Sequence, residues 1–229
     1  MLFSSTVSLN SSTFTYSFLK EDFEEEKNIL LDYYEHMFEE PRVKGSFVNQ
    51  LDCVNFTDYN PPITHIKGYR ISAIHYIFCP RQYVSEIHVD QLACVPNQEV
   101  LDRLGFDDVP VGQPQVLSLQ LPLSVNDTAV TSFYTKDSSP IKRDITLYNK
   151  VSYNYDRSII PGTERAYYYL HRRSRIEKID EFTFTKPAII NVSLPHQVYN
   201  PGEARDLLSI RFLKDPWEWI PEDQEKNIP

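Results

Sequence analysis

The chain has 229 residues, 41% of them hydrophobic and 24% charged, which excludes a disordered or fibrous polypeptide and suits one soluble domain over residues 1–229. Its formal charge of −9 argues against a general phosphate-binding surface, so no strong nucleic-acid signal is read from it. No apolar run approaches ~18 residues, so no membrane span is expected, and the opening Met-Leu-Phe-Ser-Ser-Thr lacks the basic and apolar regions of a signal peptide, which predicts a cytoplasmic protein.

Sixteen prolines and fifteen tyrosines favour short strands and turns over long helices, so a mainly β fold is expected. Cys53, Cys79 and Cys94 are widely spaced and contain no CxxC pair. They read as buried thiols of a reducing compartment rather than a disulfide frame or a zinc site.

Residues 1–45 form an N-terminal unit. Phe14, Tyr16 and Phe18 alternate with polar neighbours as in a strand-like arm with one buried face. Over residues 20–40 the period changes: Phe23, Lys27, Leu30, Leu31, Tyr34 and Phe38 recur three or four apart. This predicts an amphipathic helix packed outside the core and stopped by Pro41. Residues 45–62 read as irregular and 69–78 as a strong strand. Residues 84–90 read as a second strand, on which His88 and Asp90 share a face. A loop with a short helix at 97–104 follows.

Residues 116–123 and 128–134 read as a strand pair around Asn126, with Tyr134 at its far end. Residues 136–165 read as an irregular insertion over one mouth of the core. The basic run Arg172, Arg173 and Arg175 reads as a solvated charge cluster before the strand at 182–184. The stretch 186–212 runs through Ala188, Ile189 and Ile190 to a lone His196. It turns at Asn200-Pro201-Gly202 and returns through Arg205 and Arg211, which predicts an antiparallel hairpin with both arginines on the strand next to His196. Residues 214–229 are an acidic tail with Trp217 and Trp219 as packing anchors.

His88-Val89-Asp90 on one strand and His196 on a much later one suggest two imidazoles and a carboxylate on one face of a metal. That set leaves open positions and is the donor arrangement of non-haem iron(II) oxygenases. A nearby arginine could clamp a dicarboxylate co-substrate through a bidentate, charge-assisted pair.

The succession from 69 to 213 resembles the 2-oxoglutarate/Fe(II)-dependent oxygenase superfamily. It carries His88-Val-Asp90, the strand Leu-Ser-Leu-Gln-Leu-Pro-Leu, Thr-Ser-Phe-Tyr134, then Pro187 to Asn200 around His196, Arg205, and Ser209-Ile-Arg211-Phe212. It is most similar in look to small oxygenase-like proteins of marine bacteriophages. The resemblance implies a double-stranded β-helix, a jelly-roll or cupin-like barrel with a metal at its wider mouth. It implies Fe(II) held by His88, Asp90 and His196, 2-oxoglutarate as co-substrate, and, for a phage-encoded chain, the cytoplasm of a bacterial host. Arg205 best matches the family's 2-oxoglutarate arginine. The family places that arginine about one residue further from the histidine, so Arg211, which shares Arg205's strand parity, is the reserve. Tyr134 and Asn126 are candidate co-substrate or supporting contacts.

The expectation is therefore an Fe(II)- and 2-oxoglutarate-dependent dioxygenase. The substrate, small or macromolecular, stays open, as does the oligomeric state. The alternative is a non-catalytic jelly-roll binding or virion-associated structural protein. A cupin isomerase or hydrolase fits less well, because such sites cluster several histidines around one strand pair.

Overall fold

The computed structural model describes residues 14–37, 48–52, 63–89, 116–124, 127–144 and 167–221. In chain order these form β1 (Tyr16–Phe18), α1 (Glu24–Met37), β2 (Val48–Asp52), β3 (His65–Ile66), β4 (Tyr69–Cys79), β5 (Tyr83–Val84) and β6 (His88–Val89). There follow β7 (Leu117–Pro122), β8 (Val130–Tyr134), β9 (Ile141–Asp144), β10 (Tyr167–Leu170), β11 (Lys178–Thr183), β12 (Ala188–Asn191), β13 (His196–Asn200) and β14 (Arg205–Phe212). The protein is mainly β. Among the described residues the strands make two antiparallel sheets, one ordered β1-β12-β7-β14-β4-β2 with β3 on β4, the other β11-β8-β13-β6-β10-β9 with β5 on β13. No helix of the described residues is long and apolar enough to cross a membrane.

Side-chain alternation divides the first sheet into two faces. Leu117, Leu119, Leu121, Ile189, Leu208, Ile210 and Phe212 point outward, where Phe14, Leu19, Phe23 and Leu30 of the N-terminal unit cover them. Trp217 and Trp219 join that cluster, with the Trp219 ring 5.4 Å from Phe212 and 5.3 Å from Tyr69. Each fully buried Leu, Ile or Phe contributes about 1.5–3 kcal/mol, so this layer is a main source of stability. The opposite face meets the second sheet. There Ala188 and Ile190 pack with Phe133, Phe182, Phe184, Val192 and Leu194. The Tyr16 ring stacks on Phe182 at 4.1 Å.

Three sequence expectations change. The 45–62 stretch is not wholly irregular, because Val48–Asp52 pairs with β4 from Val48↔Ile77 to Asp52↔Ala73. Its Val-Asn-Gln-Leu-Asp has no clean alternation, and the strand comes from docking on a long neighbour. The 136–165 insertion contains β9, which pairs with β10.

Neither expected hairpin forms. β7 and β8 lie in different sheets, and so do β13 and β14. All eight residues of β14 are buried, a demand met by the centre of one sheet in a sandwich and not by a hairpin rim. The corner between β13 and β14 carries the chain across: Asn200 Nδ2 donates to Pro80 O at 3.0 Å and Glu203 O at 2.8 Å. Gly202 fits there because a Cβ would stand 2.1 Å from Thr128 Oγ1. The consequence is that Arg205 lies in the sheet opposite that of His196 rather than on the next strand.

Asp90, Asn126, Cys53, Cys94 and the 97–104 helix lie outside the described residues. Cys79 is a free, buried thiol.

Candidate functional site

His88 begins β6 and His196 begins β13, and the two residues are direct cross-strand partners. Directly paired residues share a face, so both rings enter the space between the sheets. Their centroids are 4.6 Å apart at a 52° tilt, and Phe133 lies 6.1 Å from His196. Each ring is oriented by its own main chain. His88 Nδ1 bonds Glu86 O at 2.9 Å, and His196 Nδ1 bonds Leu194 O at 2.9 Å. A carbonyl only accepts, so each Nδ1 carries the proton and each neutral ring keeps its lone pair on Nε2. That tautomer is the one an Nε2-bound metal requires.

Arg205 opens β14 on the inward face and is 3% exposed. Its Nε and Nη1 are buried with no hydrogen-bond partner among the described residues. Its Cζ lies 5.4 Å from the Phe184 ring, and Cys79 stands opposite it in β4. Burial pulls the guanidinium pKa down, with Cys79 acting in the other direction, and burial pushes the Cys79 thiol up. Arginine stays charged under these conditions. The neighbouring Asp206 points to the other face of the strand and is no counter-ion for it.

Further along the same inward face lies a polar stripe. Gln120 Nε2 donates to Ser118 Oγ and to Ser209 Oγ, both at 2.8 Å, and the two hydroxyls are 2.9 Å apart. In the second sheet, Thr131 Oγ1 is buried with no partner among the described residues. Thr131 shares the face of Phe133, two residues along β8 and so about 6–7 Å further from the histidines. The interior is thus half aromatic and half polar. Sequence reasoning missed Ser118, Gln120, Thr131 and Ser209. The visible trace was Leu-Ser-Leu-Gln-Leu, whose two polar residues both fall on one face of a strand buried on both sides.

The other candidates stand elsewhere. Arg211 acts electrostatically on Asp215, whose carboxylate accepts from Val116 N at 2.9 Å and Leu117 N at 3.0 Å. Burial pushes the Asp215 pKa up against those donors and that arginine. Arg211 therefore belongs to the lock between the C-terminal segment and β7. Tyr134 sits on the far face of the second sheet with Ile87 and Ile176. There its hydroxyl donates to Gln197 Oε1 at 3.2 Å, and the Arg173 guanidinium lies 4.6 Å over its ring. Among the described residues no group of three His, Cys, Asp or Glu assembles as for a metal ion.

His171 lies next to this site. Its Nδ1 accepts from Asp137 N at 3.1 Å, while Nε2 is buried with no partner among the described residues. Burial holds its pKa below the ordinary histidine value; Asp137 opposes this, and Lys136 and His88 add to it. The unfolded chain therefore takes up the proton first as pH falls below about 6.5. Stability contributed by the neutral ring is complete above that pH and is lost as pH drops toward the folded-state pKa. His171→Gln is expected to flatten this acid-side loss in urea melts, and an unchanged slope would assign it to other groups.

The comparisons are few. No protein-family model matches the chain, and no curated protein does. One solved structure that is similar is the crystal structure of AviO1 from Streptomyces viridochromogenes Tue57, at 10% identity and a TM-score of 0.42, over 90% of this chain and 91% of that one.

Proposed function

We propose that the protein is an Fe(II)- and 2-oxoglutarate-dependent dioxygenase built on a double-stranded β-helix. The observation that carries this reading is the pairing of His88 with His196, both held as Nδ1–H tautomers, in the same interior as the buried, unpartnered guanidinium edge of Arg205. The strand order supports the fold assignment. From β4 onward the principal strands β4, β6, β7 and β8, and then β11 to β14, occupy the two sheets in the alternation such a barrel requires.

The donor chemistry fits the implied cofactors. His88 and His196 would hold iron through Nε2, and Asp90, two residues beyond His88, is the carboxylate the sequence offers beside them. Bound there, iron(II) supplies the redox chemistry that couples conversion of 2-oxoglutarate and O₂ to succinate and CO₂ with hydroxylation of a substrate C–H bond. Arg205 would hold the distal carboxylate of 2-oxoglutarate, and the Thr131 hydroxyl, also buried without a partner among the described residues, would offer it a further donor. Phe133, Phe182 and Phe184 keep water from this end of the site, which strengthens the ionic contact.

Anaerobic addition of Fe(II) and 2-oxoglutarate is expected to give a weak visible charge-transfer band, and admission of air is expected to yield succinate without added substrate. A protein that shows neither, and that runs as an assembled species on sizing, would instead be a non-catalytic jelly-roll module.

A further inference from the structure

Among the described residues β6 spans His88–Val89 and shares one register pair with β13, His196↔His88, and the facing of His88 depends on that register. Val84 lies opposite Tyr199 and His88 opposite His196, so four steps from β5 to β6 are matched by three along β13. One extra residue is accommodated between them, which is a β-bulge. Val84 and Tyr199 are exposed on the outer face. Strict alternation from Val84 would put His88 on that outer face as well, and the extra residue is what turns it inward.

A bulge leaves ladder groups to be satisfied by other means, and here two side chains do so. Val198 N donates to Ser85 Oγ at 2.9 Å, and Gln197 Nε2 donates to Ser85 O at 2.8 Å. Ser85 N bonds Val198 O at 2.9 Å, and Tyr134 Oη holds Gln197 Oε1 at 3.2 Å. Ser85 Oγ in turn donates to Glu86 O at 3.1 Å, the same carbonyl that receives His88 Nδ1. The chain of bonds runs from Tyr134 to the atom that fixes the His88 imidazole. His196 is oriented separately, by Leu194 O.

We propose that Ser85 and Gln197 are positioning residues: they clamp a one-residue bulge and so aim the His88 imidazole at His196. The effect on metal affinity rests on the iron reading above, whereas the effect on the imidazole does not.

The test is long-range proton–nitrogen correlation spectra of the metal-free full chain, taken where the rings are neutral, for wild type, Ser85→Ala, Gln197→Leu and Ser85→Thr. The wild type is expected to show both His88 and His196 as Nδ1–H. Ser85→Ala and Gln197→Leu should shift His88 toward a mixture of tautomers and leave His196 unchanged, and Ser85→Thr, which keeps the hydroxyl, should restore the wild-type pattern. Mn(II) affinity should fall about 10–100-fold in the first two variants, as for other outer-layer contacts of metal sites. An unchanged His88 tautomer in both variants overturns the proposal. So does a joint loss of both histidine signals with the fold, which would make these bonds generally structural. A wild type that binds no Mn(II) but shows the tautomer shift would sink the iron reading and leave this inference standing.

Discussion

Arg205→Met is expected to melt at a higher temperature than the wild-type protein and to bind 2-oxoglutarate roughly a hundredfold more weakly. Arg205 is 3% exposed, and its Nε and Nη1 have no partner among the described residues. A buried charge held this way costs several kcal/mol of desolvation, which Cys79 offsets only in part. Methionine follows the same apolar path beside Phe184 without carrying the charge, and such replacements stabilise by about 1–4 kcal/mol. In a chain of this size each kcal/mol moves Tm by about 2–4 °C. Losing the clamp on a carboxylate costs about 3 kcal/mol of ligand binding, which is the hundredfold.

The two effects should separate in thermal melts with Mn(II) present. Added 2-oxoglutarate at about 100 times its Kd should stabilise the wild type by about 2.7 kcal/mol and leave Arg205→Met nearly unmoved. A variant that melts lower and still binds the co-substrate would make Arg205 a structural residue.

His196→Ala should abolish 2-oxoglutarate turnover while the chain still folds. His196 begins β13 at the contact with both β6 and β8, so its ring is one of the two that meet in the interior. On the proposed reading its loss removes one of two imidazole donors, and metal affinity should fall by more than about 100-fold, beyond the range seen when only an outer contact is lost. The stability cost should stay within about 1–3 kcal/mol, since the neutral ring is replaced by a smaller apolar group and one side-chain bond to Leu194 O is lost. Asp90→Ala should give the same loss of turnover. Succinate production by either variant at the wild-type rate would remove that residue from the ligand set.

Much of the β architecture is legible along the chain because period-two patterning is local. Leu117–Pro122 shows it within a few residues, and Tyr69–Cys79, Val130–Tyr134 and Arg205–Phe212 are apolar or aromatic runs of strand length bounded by turn residues. His88, His196 and Arg205 were candidates by residue type and position along the chain, and what the structure adds is their placement: His88 beside His196, and Arg205 buried in the other sheet. The partners of these strands were not legible. By sequence, the short links 123–129 and 201–204 look like hairpin turns, and nothing within them states that the chain changes sheets. That choice belongs to the buried faces: β7 and β14 are buried along their lengths at the centre of one sheet, while their chain neighbours β8 and β13 pair with each other in the second.

The sequence by itself determined the mainly β character, the longer strands, and the shared parity of Arg205 and Arg211. Only the tertiary structure decided that Arg205 has two buried, unpartnered nitrogens while Arg211 serves Asp215, and that Tyr134 lies behind the histidines rather than beside them. It also decided that His88 faces inward at all. The physical reason is that facing on a strand reverses with a single extra residue, and that residue is accommodated by bonds to Ser85 and Gln197, the latter more than a hundred positions away along the chain.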